Sequence, residues 1–230
     1  MKKNIFVTSL VLFSVSFLFM KCTKSPDDNL PAEPVQIELT SEQIALVESG
    51  NSFAFDIFSK VVEKEEQGSN IMISPLSISC ALSMTLNGAK GETLEAMLEA
   101  LRVNGLTPDE INISYQKLTE ALLSVDKRVI MQIANSVWSR EDFPVKEAFI
   151  DILETYYKAE SLGFRAGDPQ APDIINAWIE DNTNGLIKEM IDEIPPDVVM
   201  LLINAIYFKG MWKYQFDEND TDDLPFYKNG

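Results

Sequence analysis

Apolar residues return along this chain in two rhythms. From about residue 40 to residue 125 they recur at helical spacing; beyond residue 129 continuous apolar runs of strand length alternate with further helical stretches. The central stretch is Ile71 to Gly91. Ile71–Ile73 is short, apolar and suited to a buried strand. Ser74-Pro75 then starts a helix, with a hydroxyl cap followed by proline at the first position. Leu76, Ile78, Ala81, Leu82 and Leu86 place apolar side chains on more than one face, so this helix is expected to be central. Asn87-Gly88 is expected to end it, since both residues tolerate a left-handed cap. Ser74, Ser77, Ser79 and Ser83 set hydroxyls among these apolar positions, and buried hydroxyls need partners.

The remaining elements follow in order. Thr40 with Gln43 forms a capping box opening a helix to about Lys64, with Ile44, Val47, Phe53, Ile57, Phe58 and Val61 as its apolar face. Thr93 to Arg102 is a short helix. Thr107-Pro108-Asp109-Glu110 combines a cap, a proline and acids against the dipole, and starts a helix to about Ser124. Val129 to Ser139 is a strand expected to be covered on both sides. Pro144 to Glu160 reads as a helix and Ser161 to Arg165 as a short strand. Pro172 to Thr183 reads as a helix closed by Asn184-Gly185, and Val198 to Phe208 as a long apolar strand. Helices first and long strands later give the α+β class.

Composition narrows the function. Hydrophobic residues make up 46% of the 230, enough for a sizeable core, and the net charge is −17. That charge repels phosphate backbones and anionic lipid surfaces, so a nucleic-acid partner is excluded and a membrane could be reached only through an attached lipid. The chain has no histidine, which removes the usual general base and the commonest transition-metal ligand. Ser74, Ser77, Thr183 and Thr221 are available hydroxyls, but none can pair with a histidine and no G-x-S-x-G elbow is present. The expectation is therefore a protein that is not an enzyme and needs no cofactor. Asp217, Glu218, Asp220, Asp222 and Asp223 lack the glycine and terminal glutamate of a calcium loop, and read as a solvated turn. Asn112-Ile-Ser114 and Asn219-Asp-Thr221 match the glycan-acceptor pattern without further support.

The first 38 residues are of another kind. Lys2 and Lys3 precede a 16-residue apolar run, Ile5 to Met20, so residues 1–21 read as an export signal. Cys22 directly after it points to a bacterial lipoprotein acylated at that cysteine, although Lys21 departs from the small residue usual before it. Residues 22–38, with three prolines and several charges, form a tether. The expected destination is outside the cytoplasm, anchored at the cell surface or in the periplasm, or released. Cys80, the second of two cysteines, lies in the central helix and reads as a small buried hydrophobe.

Three segments resemble one family. Asn70 followed by IMISPLSISCALSMTLNGAKGET resembles the serpin signature of asparagine, short strand, S-P-x-S-I and N/L-G-A-x-G-x-T. INAWIEDNTNGLIKEM (Ile175 to Met190) resembles the serpin helix with its T-x-G-x-I exit. LLINAIYFKGMWKYQF (Leu201 to Phe216) resembles the N-x-x-x-F-K-G-x-W-x-x-x-F strand, with Thr221 and Phe226 following in place. The likeness covers residues 39–230 and implies the N-terminal part of a serpin domain: helices around a large central sheet, incomplete at the C-terminus. It implies a suicide-substrate inhibitor of serine or cysteine peptidases, a monomer when complete, whose cleaved reactive loop enters the central sheet as a new strand. Ser74, Ser77 and Asn204 match the polar cluster beneath that sheet, Trp212 the place where the sheet first opens, and Val198 to Phe208 the strand bordering the insertion gap. The reactive-site bond and the histidine partner expected for Asn204 would lie beyond Gly230. The alternatives are a non-inhibitory, surface-tethered binding protein or an inactive truncated product.

Overall fold

The computed structural model describes residues 34–225, apart from 67, 213, 215 and 216. The export signal, Cys22, most of the tether and Phe226 lie outside the described residues. Six α-helices and three strands occur among them: α1 (Ser41–Lys64), α2 (Pro75–Leu86), α3 (Glu92–Ala100), α4 (Pro108–Ser124), β1 (Val129–Arg140), α5 (Glu147–Tyr157), β2 (Glu160–Phe164), α6 (Ala171–Asn182) and β3 (Met200–Gly210). The sheet order is β2-β1-β3, with β1 parallel to β2 and antiparallel to β3.

Local chemistry accounts for most boundaries. Thr40 and Thr107 each accept a hydrogen bond from the backbone three residues on, while Gln43 and Glu110 reach back to the capping residue's N–H. Asn184 and Gly185 take positive φ values of 51° and 76° after α6, the left-handed exit expected there. Pro195 accepts from Val198 N at 3.0 Å, so Val198 belongs to a turn and β3 begins two residues later than expected.

Four expectations need correction. Ile71–Ile73 is extended but forms no strand, since a strand exists by pairing and no described segment pairs with it; Met72 is 97% exposed. Asn87 stays in the right-handed region (φ −64°), and the left-handed turn falls at Gly91 (φ 56°). A Cβ at Gly88 would lie 3.4 Å from the Phe149 ring, in ordinary van der Waals contact. Helix α5 starts three residues after Pro144 and ends at Tyr157, three residues before the expected Glu160; the positive φ of its C-cap Lys158 (55°) lets Ala159 N bond Leu153 O at 3.2 Å before the chain enters β2. On α1 the core side is Leu46 and Phe53, whereas Ile44 and Phe58 are exposed. Gly50 and Ala54 share this side and line a cavity with Leu76 and Ser79 of α2 and Tyr115 and Leu118 of α4, and a pattern scored on large apolar residues does not see them.

The sheet separates two cores. On one face, Val137, Met200 and Leu202 join the interior of α1–α5, which includes Met84, Leu86, Ile111 and Leu153. On the other, Trp138, Phe164 and Ile203 pack against Ile175 and Ile179 of α6. Two-sided burial, expected for the whole of residues 129–139, holds only for residues 135–138 of β1; toward its start the strand alternates and Ile130 is exposed.

Candidate functional site: a polar seam beneath the sheet

Asn135 and Asn204 are directly opposite one another in the β1–β3 ladder, on the face toward α2. Asn204 Nδ2 donates to Asn135 Oδ1 at 2.7 Å, and Asn135 Nδ2 donates to the Tyr157 carbonyl at 2.7 Å. From the helix side, the Ser77 hydroxyl donates to Asn204 Oδ1. Cys80 lies one turn further along α2 with its thiol 3.6 Å from Asn135 Oδ1. Both amides are thus satisfied inside an otherwise apolar layer, which is the condition for burying them without a large penalty.

Burial controls the ionisable groups nearby. Desolvation pushes the Cys80 thiol up to about 12 and holds the Tyr157 phenol well above its ordinary range, so both are neutral in the folded chain. The seam therefore works by neutral hydrogen bonds, and Cys80 is no nucleophile.

Not all the residues singled out in the sequence meet here. Ser77 and Asn204 do. Ser74 is exposed and caps α2, its Oγ accepting from Ser77 N at 3.3 Å. Trp212 lies two residues beyond β3 and is 73% exposed. Thr183 is buried and closes α6, donating to Ile179 O at 2.8 Å and accepting from Ile187 N at 3.1 Å. Asn112 is fully buried, with its amide bonded to Asn87 and its Oδ1 also accepting from Tyr157, so it offers no glycan attachment point. Asp217 folds back on its own turn, its carboxyl held low by hydrogen bonds from Asn219 N and Nδ2 at 2.9 Å.

Sequence reasoning missed Asn135, the role of Cys80, and Tyr157. The usable signal was Asn135-Ser136 in the middle of a strand otherwise fit for complete burial. Polar residues there demand partners, but the strand does not name them.

The serpin family model, described as serine protease inhibitor, matches residues 48–230. The chain belongs to the serpin family. It is 34% identical over 189 residues to Serine protease inhibitor A3K of Mus musculus, covering 81% of this chain and 45% of that protein. It is 30% identical over 231 residues to an uncharacterized serpin-like protein of Methanosarcina acetivorans, covering 94% and 54%. Among solved structures, the thermophilic serpin Tengpin in its latent state superposes with a TM-score of 0.70 at 30% identity, covering 80% of this chain and 48% of that one. Emu ovalbumin superposes at 0.74 and 26%, covering 79% and 51%. The chain thus spans about half the length of the curated relatives it matches. The six helices and partial sheet among the described residues are an incomplete serpin fold. The family is one of inhibitors rather than catalysts. No helix among the described residues is long and apolar enough to cross a membrane.

Proposed function

We propose that this chain is the N-terminal part of a suicide-substrate inhibitor of serine or cysteine peptidases. In this reading the Ser77–Asn204–Asn135 seam holds the central sheet in its pre-cleavage arrangement and lets β3 shift when a strand is added. The observation that carries it is that α2 holds β3 through the Ser77 hydroxyl on Asn204, while β3 has β1 as its one ladder partner among the described residues. Neutral hydrogen bonds can be re-formed after a shift of one strand. An interdigitated apolar contact has to be broken first. Added strand pairing supplies the energy. Ser74 supports the seam by fixing the start of α2, and Trp212 marks the end of β3 where opening would begin.

The test is made on the protein continued by the C-terminal half expected of the family. Cleavage in its exposed loop should raise the thermal midpoint sharply, through a new ladder of hydrogen bonds and buried contacts. An unchanged midpoint after confirmed cleavage assigns the non-inhibitory, tethered binding role instead. The 230-residue chain by itself should form no denaturant-resistant adduct with such peptidases. A high-mass band that depends on the peptidase's nucleophile would place the bait within these residues. We propose also that the protein is exported, with residues 1–21 removed, and held at a membrane by acylation of Cys22. Uptake of labelled palmitate, lost in Cys22→Ala, is the expected result; release of a soluble form from the unaltered gene would overturn the anchor.

A further inference from the structure

The seam does not stop at the sheet. Tyr157 is 5% exposed, and its two polar ends reach in different directions. Its carbonyl accepts from Asn135, while its phenol donates to Asn112 Oδ1 on α4 at 2.7 Å. Asn112 and Asn87 exchange amide hydrogen bonds at 2.8 and 3.0 Å, and Asn87 Nδ2 also donates to the Ser83 carbonyl at 2.9 Å. Asn87 is the C-cap of α2, and Ser77 stands in the first turn of that helix. The path therefore returns to its starting element: Ser77, Asn204, Asn135, Tyr157, Asn112, Asn87. Helix α2 is held at both ends by one ring of hydrogen bonds that passes through β3, β1, α5 and α4.

We propose that Tyr157 is a positioning residue that closes this ring and so sets how readily β3 moves on α2. Asn135, Tyr157 and Asn112 are buried and Ser77, Asn204 and Asn87 half-buried, and bonds linked in such a ring reinforce one another because each fixes the orientation the next one needs. Opening the ring anywhere frees both ends of α2 relative to the sheet. The inference rests on the sheet-opening reading for its consequence, not for its test. Tyr157→Phe suits that test, since it removes the hydroxyl, keeps the ring and leaves Asn112 Oδ1 bonded to Asn87.

Cys80, the one free cysteine among the described residues, is buried against Asn135 and reports opening of the seam through its rate of reaction with a maleimide. The measurement uses the 230-residue chain carrying Cys22→Ala, at neutral pH. Tyr157→Phe and Ser77→Ala should each raise the rate about tenfold, the worth of one buried hydrogen bond. The double variant should exceed the faster single by less than about twofold, because the ring is already open. Tyr115→Phe is the control: it keeps the 5.9 Å ring contact with Tyr157 and removes a phenol that sits by Ser79 and Ser83 and takes no part in the ring of hydrogen bonds, so its effect should multiply with that of Ser77→Ala. Multiplying effects for Tyr157→Phe with Ser77→Ala would overturn the ring, as would a Cys80 that reacts at a free-thiol rate in the parent. Should Tyr157→Phe not be obtained folded, Asn87→Ala opens the same ring, and the same two outcomes decide. Non-additivity without peptidase inhibition by the longer protein would remove the proposed function and leave the ring standing.

Discussion

The two faces of the sheet are built on opposite principles. Toward α6 the contact is apolar: Trp138, Phe164 and Ile203 against Ile175 and Ile179, with the Trp138 Nε1–H turned to Ser136 Oγ at 2.9 Å. Toward α2 the middle of the sheet presents two asparagines, and the helix answers with a serine and a cysteine. An apolar face is held by shape, so its energy falls steeply with any displacement. A face of neutral hydrogen bonds is held by partners, and partners can be exchanged. One three-stranded sheet thus has a side that resists sliding and a side able to survive it.

The largest expected effect separates the faces by pH. Cys80, Tyr115 and Tyr157 all lie on the α2 side, and burial raises all three above their ordinary values, Cys80 from 9.0 and Tyr115 from 10.0, each to about 12. Above pH 9 the unfolded chain releases the thiol proton, and above pH 10 the two phenol protons, while the folded chain keeps them. The contribution is fully present below pH 9 and falls by about 1.4 kcal/mol per pH unit for each group that has titrated only in the unfolded state. Denaturant midpoints measured between pH 8 and 12 should therefore collapse, and Cys80→Ala should flatten the first part of the fall. A flat profile would mean that the α2 side is wet.

Next comes the apolar face. Ile175 is fully buried, so Ile175→Ala should cost about 3 kcal/mol in equilibrium unfolding. Asn135→Ala follows at about 2 kcal/mol, because the Tyr157 carbonyl and the Asn204 amide lose their partner. Asn135→Leu is the sharper probe. If the α2 side tolerates replacement only by groups that hydrogen-bond, it should be no more stable than the alanine variant; recovery to the parent's stability would make this face an ordinary core. Smallest is Lys188→Ala, in the segment after α6, whose 3.5 Å pair with Glu180 of that helix should shift stability by less than about 0.5 kcal/mol.

Much of this fold was legible in the order of residues. The capping boxes at Thr40 and Thr107, the proline starts of α2, α4 and α6, and the left-handed exit at Asn184-Gly185 are all local, and local hydrogen bonds are decided within four residues. The family was legible for a related reason: residues 70–93, 175–190 and 201–216 each carry a dense motif, and the family model spans residues 48–230. Of the seam, Ser77 and Asn204 were foreseen by resemblance. Asn135 was passed over inside a strand read only for its apolar character, and Asn112 was noticed only as a glycan-acceptor pattern.

The sequence by itself determined where the capped and proline-started helices begin and that the two long apolar runs beyond residue 129 are strands. Tertiary structure alone decided three things. It left Ile71–Ile73 without a ladder partner among the described residues, and it chose which side of α1 faces inward. It also brought Ser77 to Asn204, 127 positions away, and Tyr157 to Asn112, 45 positions away. The reason is common to all three. A cap is satisfied by neighbours in the chain, whereas a strand, a buried helix face and a buried amide are satisfied by groups from other elements, whose identity exists only once those elements have packed.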